Sequence, residues 1–324
     1  MTKNLIIAYH ANCNDGQIAA FVAWSFTGRK AQTVSVNYDL HKKSFQDIVR
    51  HLTKNLPADN DLTTYQLLVV DFSFPYDILK QLAVVFGKVV VIDHHKTAQD
   101  DLNEHLKPTE TFITLNDVQK SVYQITPNVR VVFCMDESGA LMTWRYYAGE
   151  GASLPDFVRY TSDRDLWKFL DPRTRPFTSG MGLHRSDSWE QLEKVLQNPE
   201  QVITDGRIIE STRSERVKSI LNKPARLMRA QVEDTQFEIG CYNAPADITS
   251  DLLSEYVNHP DNYPIGMTYT IGSDDVVYCS LRSRVGVDCS VIAKVLGGGG
   301  HSNACGFIVP LKHFVEMLET QDLT

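Results

Sequence analysis

No apolar run in the sequence approaches the roughly 20 residues needed to cross a bilayer. The first residues also lack the basic segment, apolar core and small-residue cleavage site of a secretory leader, so a cytoplasmic location without membrane contact is expected. Paired cysteines are missing too. Cys13, Cys134, Cys241, Cys279, Cys289 and Cys305 are scattered and form no CxxC, which points away from both a disulfide framework and a zinc ribbon. There is no excess of basic charge. With 32 Lys and Arg against 40 Asp and Glu, a net charge of −8 argues against a protein that coats long duplex nucleic acid, because such binding is driven by cations neutralising phosphates. Short or small phosphorylated substrates stay compatible.

Internal repeats are absent, and the one low-complexity tract is Gly297–Gly300. With 43% hydrophobic and 22% charged residues in 324, the chain is an ordinary globular protein with room for two cores. Val89–Ile92 is a run of β-branched residues with no polar alternation, the pattern of a parallel strand buried on both faces. It ends in Asp93, His94 and His95. Leu67–Val70 runs likewise into Asp71, and Leu5–Tyr9 into His10, followed by Asn12 and Asp15. In open α/β sheets ligands bind beyond the carboxyl ends of the strands, so acids and imidazoles gathered there are placed for chemistry. Helical patterns between these strands give βαβ units and a parallel sheet.

Residues 100–128, rich in Asp, Asn, Thr and Pro, read as a loop region. The stretch 189–228 reads as mostly helical, interrupted at Gly206 and stopped near Pro224. A second block then begins near Phe237, with a strand to Tyr242 and a helix from about Ile248 to Val257. Met267–Ile271 and Val276–Leu281 flank a turn as a hairpin, and the glycine run and a closing helix follow. The expected domains are 1–188 catalytic, 189–235 a helical connector and 236–324 a smaller α/β substrate-binding domain.

Four segments taken in order resemble the motifs of the DHH phosphoesterase superfamily: His10–Gly16, Asp71–Pro75, Asp93–Ala98 and Ser162–Trp167. Gly297–Phe307 resembles the glycine-rich signature of the DHH-associated C-terminal domain. The resemblance implies a parallel-sheet DHH catalytic domain holding two manganese ions, with magnesium as the alternative. Asp71 would bridge them, Asp15, His94 and Asp163 would complete one ion, and His10 and the Asn12 carbonyl oxygen would serve the other. Asp165 competes with Asp163 for its role. His95 would face the substrate phosphate, and Asp93 would orient a histidine. Many superfamily members have aspartate where this chain has Asn12, so one ion is expected to be weakly held.

Four consecutive glycines can present N–H groups to a phosphate. Gly298, Gly299, Gly300 and His301, with Arg282 and Arg284 nearby, are therefore expected to bind substrate in a cleft between the domains. The expected reaction is attack of metal-bound hydroxide on a phosphoester or phosphodiester of a short oligonucleotide or small nucleotide. The alternative is a nucleotide-binding protein of the same fold with weakened catalysis. A homodimer is compatible with the sequence.

Overall fold

The computed structural model describes residues 4–57, 60–114, 117–184 and 188–324, which form two compact units, Met1–Ile209 and Glu210–Thr324. In the first unit the order is β1 (Asn4–His10), α1 (Asn14–Phe26), β2 (Gln32–Val36), α2 (Phe45–Leu52), β3 (Tyr65–Val70), α3 (Tyr76–Val85) and β4 (Lys88–Asp93). Then come α4 (Lys96–His105), β5 (Glu110–Ile113), β6 (Gln119–Thr126), β7 (Val129–Phe133), α5 (Gly139–Ala148), α6 (Asp156–Asp165), α7 (Thr174–Met181), α8 (Trp189–Leu196) and α9 (Pro199–Leu221), which runs on into the second unit.

The seven strands lie in the order β2-β1-β3-β4-β7-β6-β5. The first five are mutually parallel, and β6 and β5 extend the sheet antiparallel. Alternate residues of the central strands feed two cores. Ile7, Leu68 and Val90 face α1 and α5, whereas Ile6, Leu67 and Val89 face the side of α2 and α3. Burial on both faces explains why these strands carry no polar alternation. The chain reverses its winding between β1 and β3, so His10, Asp71 and Asp93 come out at a topological switch point.

The second unit continues with β8 (Arg226–Val232), β9 (Thr235–Asn243), α10 (Thr249–Asn258), β10 (Ile265–Ile271), β11 (Val276–Ser283), α11 (Ser290–Val295), β12 (Gly299–His301), β13 (Ala304–Pro310) and α12 (Leu311–Thr320). Its sheet runs β12-β13-β11-β10-β9-β8, with β9 and β10 the parallel pair. Met228, Ile239, Met267, Leu281 and Phe307 fill its core.

Two expectations from the sequence are corrected. Residues 100–128 are not a loop: they contain the end of α4 and the β5–β6 hairpin, residues 115–116 lying outside the described residues. The strand β6 was hidden because it buries Lys120, whose charge is met by Glu137 at 3.1 Å and by Glu150 from a later helix end. The stretch 189–228 is mostly helical and its last helix ends at Leu221, just before Pro224, but the strand β8, which begins at Arg226 and pairs antiparallel with β9, was not foreseen. Nor does Gly206 interrupt α9. A Cβ there would lie 1.7 Å from the Pro176 carbonyl oxygen, so the glycine serves the close packing of α9 on α7.

Candidate metal centre

The residues at the switch point come together through local backbone features. His10 is the last residue of β1, and Asn12 follows with φ 57° before Cys13 opens α1. Asp15 therefore lies in the first turn of α1, where it is buried and accepts a hydrogen bond from the Ala140 N–H at the start of α5, at 3.1 Å. Asp71 follows β3 with φ 55°. Asn and Asp are among the non-glycine residues that best tolerate this left-handed region, so Asn12 and Asp71 both suit their backbone.

The two oxygens of Asp71 point at different partners. Oδ2 lies 3.5 Å from His10 Nδ1, and Oδ1 accepts from His94 Nε2 at 3.1 Å. His94 Nε2 is also 3.4 Å from Asp165 Oδ2 and 3.8 Å from Asp15 Oδ2. His10, Asp71 and His95 form one group of three donors and Asp15, His94 and Asp165 another, each with its ligand atoms within 4.8 Å of one another. Asp93 orients the second histidine of the pair: its Oδ1 accepts from His95 Nδ1 at 2.7 Å and from the His94 N–H at 2.8 Å. With Nδ1 so engaged, Nε2 is the His95 ring nitrogen left for a further partner. That position suits a cation ligand as well as a phosphate contact.

Buried polar atoms in this centre lack hydrogen-bond partners: His10 Nδ1, Asp15 Oδ2, Asp71 Oδ2 and Asp165 Oδ2. Orphaned buried acceptors are rare because they forfeit their solvation. Carboxylate and imidazole together suit manganese and related divalent cations, so the donor set fits such ions. The electrostatics agree. Burial, then the charges of Asp71 and Asp165, push Asp15 well above the usual carboxylate range, and burial also raises Asp165. Burial alone would depress His94, but the hydrogen bond to Asp71 and the charges of Asp15 and Asp165 push it up to about 9. Burial opposes ionisation of Asp71, yet the imidazole of His10 close by and the hydrogen bond from His94 hold it well below its ordinary value.

The structure does not bring Asp163 into either group of donors. Its carboxylate is used inside the chain, accepting from the Leu170 N–H at 2.8 Å, the Asp171 N–H at 3.1 Å and the Thr174 hydroxyl. Asp165, two residues on and so about 200° around the helix, is the acid that reaches His94. Burial, with the charges of Asp71 and Asp15, raises the Cys13 thiol, and Cys13 belongs to neither group of donors.

Two features were missed by the sequence. Gly16 and Gly139 press on the acids: a Cβ at Gly139 would lie 2.5 Å from Asp71 Cβ and 2.9 Å from Asp15 Oδ2. Tyr38 packs edge-on against His10 at 5.2 Å and His95 at 6.1 Å between ring centroids.

The family model described as the DHHA1 domain matches residues 238–322. Over 99% of its length the chain is similar to 51% of RecJ from Thermus thermophilus, solved in complex with Mn2+, at 11% identity and a TM-score of 0.52. Residues 238–322 thus resemble the DHHA1 domain, and the chain shares the fold of RecJ. An exopolyphosphatase-related protein from Bacteroides fragilis is similar over 99% of this chain and 91% of its own, at 12% identity and a TM-score of 0.48. Uncharacterized protein R106 of Acanthamoeba polyphaga mimivirus is 26% identical over 313 residues, 93% of this chain and 66% of that protein. The chain thus spans just under two thirds of that relative and half of RecJ.

Within residues 238–322 the glycine run has a packing reason of its own. A Cβ at Gly298 would lie 2.1 Å from the Gly306 carbonyl oxygen, and one at Gly300 would lie 2.7 Å from that of Ala304, so at these two positions only glycine lets the chain lie this close to β13. Gly297 and Gly300 also hold positive φ, of 76° and 136°. Gly297 and Gly299 face open space, and Gly299 lies next to the exposed His301. Arg282 is partly buried and donates to the Leu281 carbonyl and to Ser250 Oγ at 3.2 Å. Arg284 is spent on the carbonyls of Val257, His259 and Asn262, all within 3.0 Å, and is a structural arginine.

Proposed function

We propose that this chain is a metal-dependent phosphoesterase that cleaves phosphoester or phosphodiester bonds in small nucleotides or short oligonucleotides. The observation that carries this reading is Asp71, whose two oxygens face two separate groups of donors from which buried acceptors are left without partners. A single carboxylate shared between two cation positions is the arrangement that two-metal phosphoesterases require. RecJ, whose fold the chain shares, was solved with Mn2+ and with Mg2+.

His10, Asp71 and His95 would hold one cation, and Asp15, His94 and Asp165 the other, with Asp71 common to both. Cations held there would acidify a water and offset charge developing on the phosphate. Asp93 fixes the tautomer of His95 through its 2.7 Å contact, leaving Nε2 as the atom turned to the reacting group. Gly16 and Gly139 let α1 and α5 approach closely enough to keep Asp15 and Asp71 in place. Gly299, His301 and Arg282 are proposed to contact the substrate without taking part in the chemistry.

The test is release of phosphate or nucleotide from a dinucleotide by the purified chain, with and without manganese. Release that stops on chelation and returns with the metal supports the reading. Tight nucleotide binding with no release in any divalent cation supports the non-catalytic alternative.

A further inference from the structure

The short loop between α6 and α7 presents aromatic and cationic groups beside the metal centre. Trp167 is 53% exposed, a large value for the residue type, and the neighbouring Leu170 is 82% exposed. The Trp167 and Phe169 rings meet at 5.0 Å, 76° apart. The Arg164 guanidinium lies 4.1 Å from the Trp167 ring centre, and that of Arg175 lies 4.1 Å from the Phe169 ring centre. Arg164 also ties this group to the metal centre, because it lines a cavity of about 260 Å³ together with Asn12, Asp15 and Asp165.

The loop is held in this shape by the acid that the metal centre does not use. The main-chain carbonyl of Asp163 accepts from the Lys168 N–H at 2.9 Å, and its carboxylate takes the Leu170 and Asp171 N–H groups. Trp167 and Phe169 both stand in the left-handed region, with φ 55° and 49°. Bulky residues adopt that backbone rarely, and such residues gather at ligand sites. The segment Asp163–Phe169 therefore divides its tasks: Asp163 folds the loop, Asp165 turns inward to His94, and Trp167 turns a ring outward.

We propose that Trp167, supported by Phe169 and flanked by Arg164 and Arg175, is a stacking platform for a nucleobase of the substrate. Every nucleobase offers a π-face, and aromatic rings interleaved with arginines bind single-stranded nucleotides with little sequence preference. The arginines match the anionic backbone that would run from the platform to the metal centre. The substrate class is then a single-stranded nucleotide phosphodiester bearing at least one unpaired base, and not inorganic or sugar phosphate. This deepens the phosphoesterase reading and rests on it only for which bond is cut.

The experiment compares a dinucleotide with the same sugar-phosphate backbone lacking its bases. It uses the wild-type chain, Trp167→Gly and Trp167→Phe. Glycine removes the ring while relieving the left-handed backbone, so a loss cannot be ascribed to strain, and phenylalanine keeps a ring. With manganese, KM for the dinucleotide should lie below that for the abasic compound. Trp167→Gly should shrink this preference by about 5- to 150-fold, the range for one stacked base, with kcat little changed. Trp167→Phe should restore most of it. Equal KM values for both compounds in the wild type, or a preference that survives in Trp167→Gly, would overturn the platform. The same comparison made by equilibrium binding in calcium needs no turnover. A chain that binds the dinucleotide through Trp167 yet hydrolyses nothing refutes the phosphoesterase reading and upholds the platform. Concentration-dependent self-association abolished by Trp167→Gly, with no base preference, would show the exposed ring to be a contact between copies of the chain and would also overturn it.

Discussion

Asp163 and Asp165 sit two residues apart on one helix, and replacing each should break a different property. In Asp163→Ala the N–H groups of Leu170 and Asp171 and the Thr174 hydroxyl lose their acceptor. Hydrogen bonds to a charged group contribute about 1.5–3 kcal/mol each, and part of the loss is regained where the loop rehydrates, so a net cost of about 2–4 kcal/mol is expected. For a unit of this size about 2–4 °C of Tm goes with each kcal/mol, which gives a fall of roughly 5–15 °C. The sign with pH follows from the lowered carboxyl of Asp163: burial opposes it, but the hydrogen bonds from Thr174, Leu170 and Asp171 prevail. This stabilisation is present above the ordinary carboxylate pKa and is lost as pH falls through the lowered value. Asp165→Asn should behave in the opposite way. It removes a negative charge beside Asp71 and Asp15, which relieves repulsion in the metal-free chain, so Tm without metal should hold or rise. Mutating even a residue that only orients a ligand costs about 10- to 100-fold in metal affinity, so loss of a direct ligand should cost at least the upper end of that range. Differential scanning fluorimetry with and without manganese, run beside a metal-binding titration, reads both. The reasoning fails if Asp163→Ala loses metal at unchanged Tm, or if Asp165→Asn loses Tm and keeps its metal.

Gly139→Ala should lower manganese affinity by at least tenfold with an intact circular-dichroism spectrum, since its Cβ collides with Asp71 and Asp15; unchanged affinity in an equilibrium titration would show that the helix can retreat. Because His94 is pushed up to about 9, the metal-free centre is protonated at neutral pH and must release protons to bind a cation. Calorimetry in two buffers of different ionisation enthalpy should show net release at pH 7 that vanishes above pH 9, and no buffer dependence would refute it. Lys120→Met should cost about 3–5 kcal/mol by leaving Glu137 buried with one partner fewer. Urea denaturation measures this, and a loss below 1 kcal/mol would mean that Arg145 alone satisfies the acid.

Much of the first unit was legible because a strand buried on both faces leaves an unmistakable apolar run, and acids or histidines at its end stand out. His10, Asp15, Asp71 and His94 are gathered by the structure from such strand ends and from the helix that follows one of them. The choice between Asp163 and Asp165 was not legible, because it depends on unpaired N–H groups in a loop that forms only when α6 ends. The strand β6 was hidden by a buried lysine whose counter-charges come from residues 137 and 150. The glycine run looked like a phosphate cradle. Its close approach to β13 is a tertiary fact that four identical letters do not disclose.

A carboxylate that joins two cation positions makes the metal content of the chain depend on Asp71. Manganese content per chain, measured after dialysis for the wild type and for Asp71→Asn, tests it most directly. Asparagine keeps the shape and the tolerance for φ 55°, so the fold should survive while the shared charge is lost. Two manganese ions per chain in the wild type and fewer than one in Asp71→Asn, with hydrolysis abolished, is the expected result. A single ion in the wild type, or two ions retained by a well-folded Asp71→Asn, would contradict it.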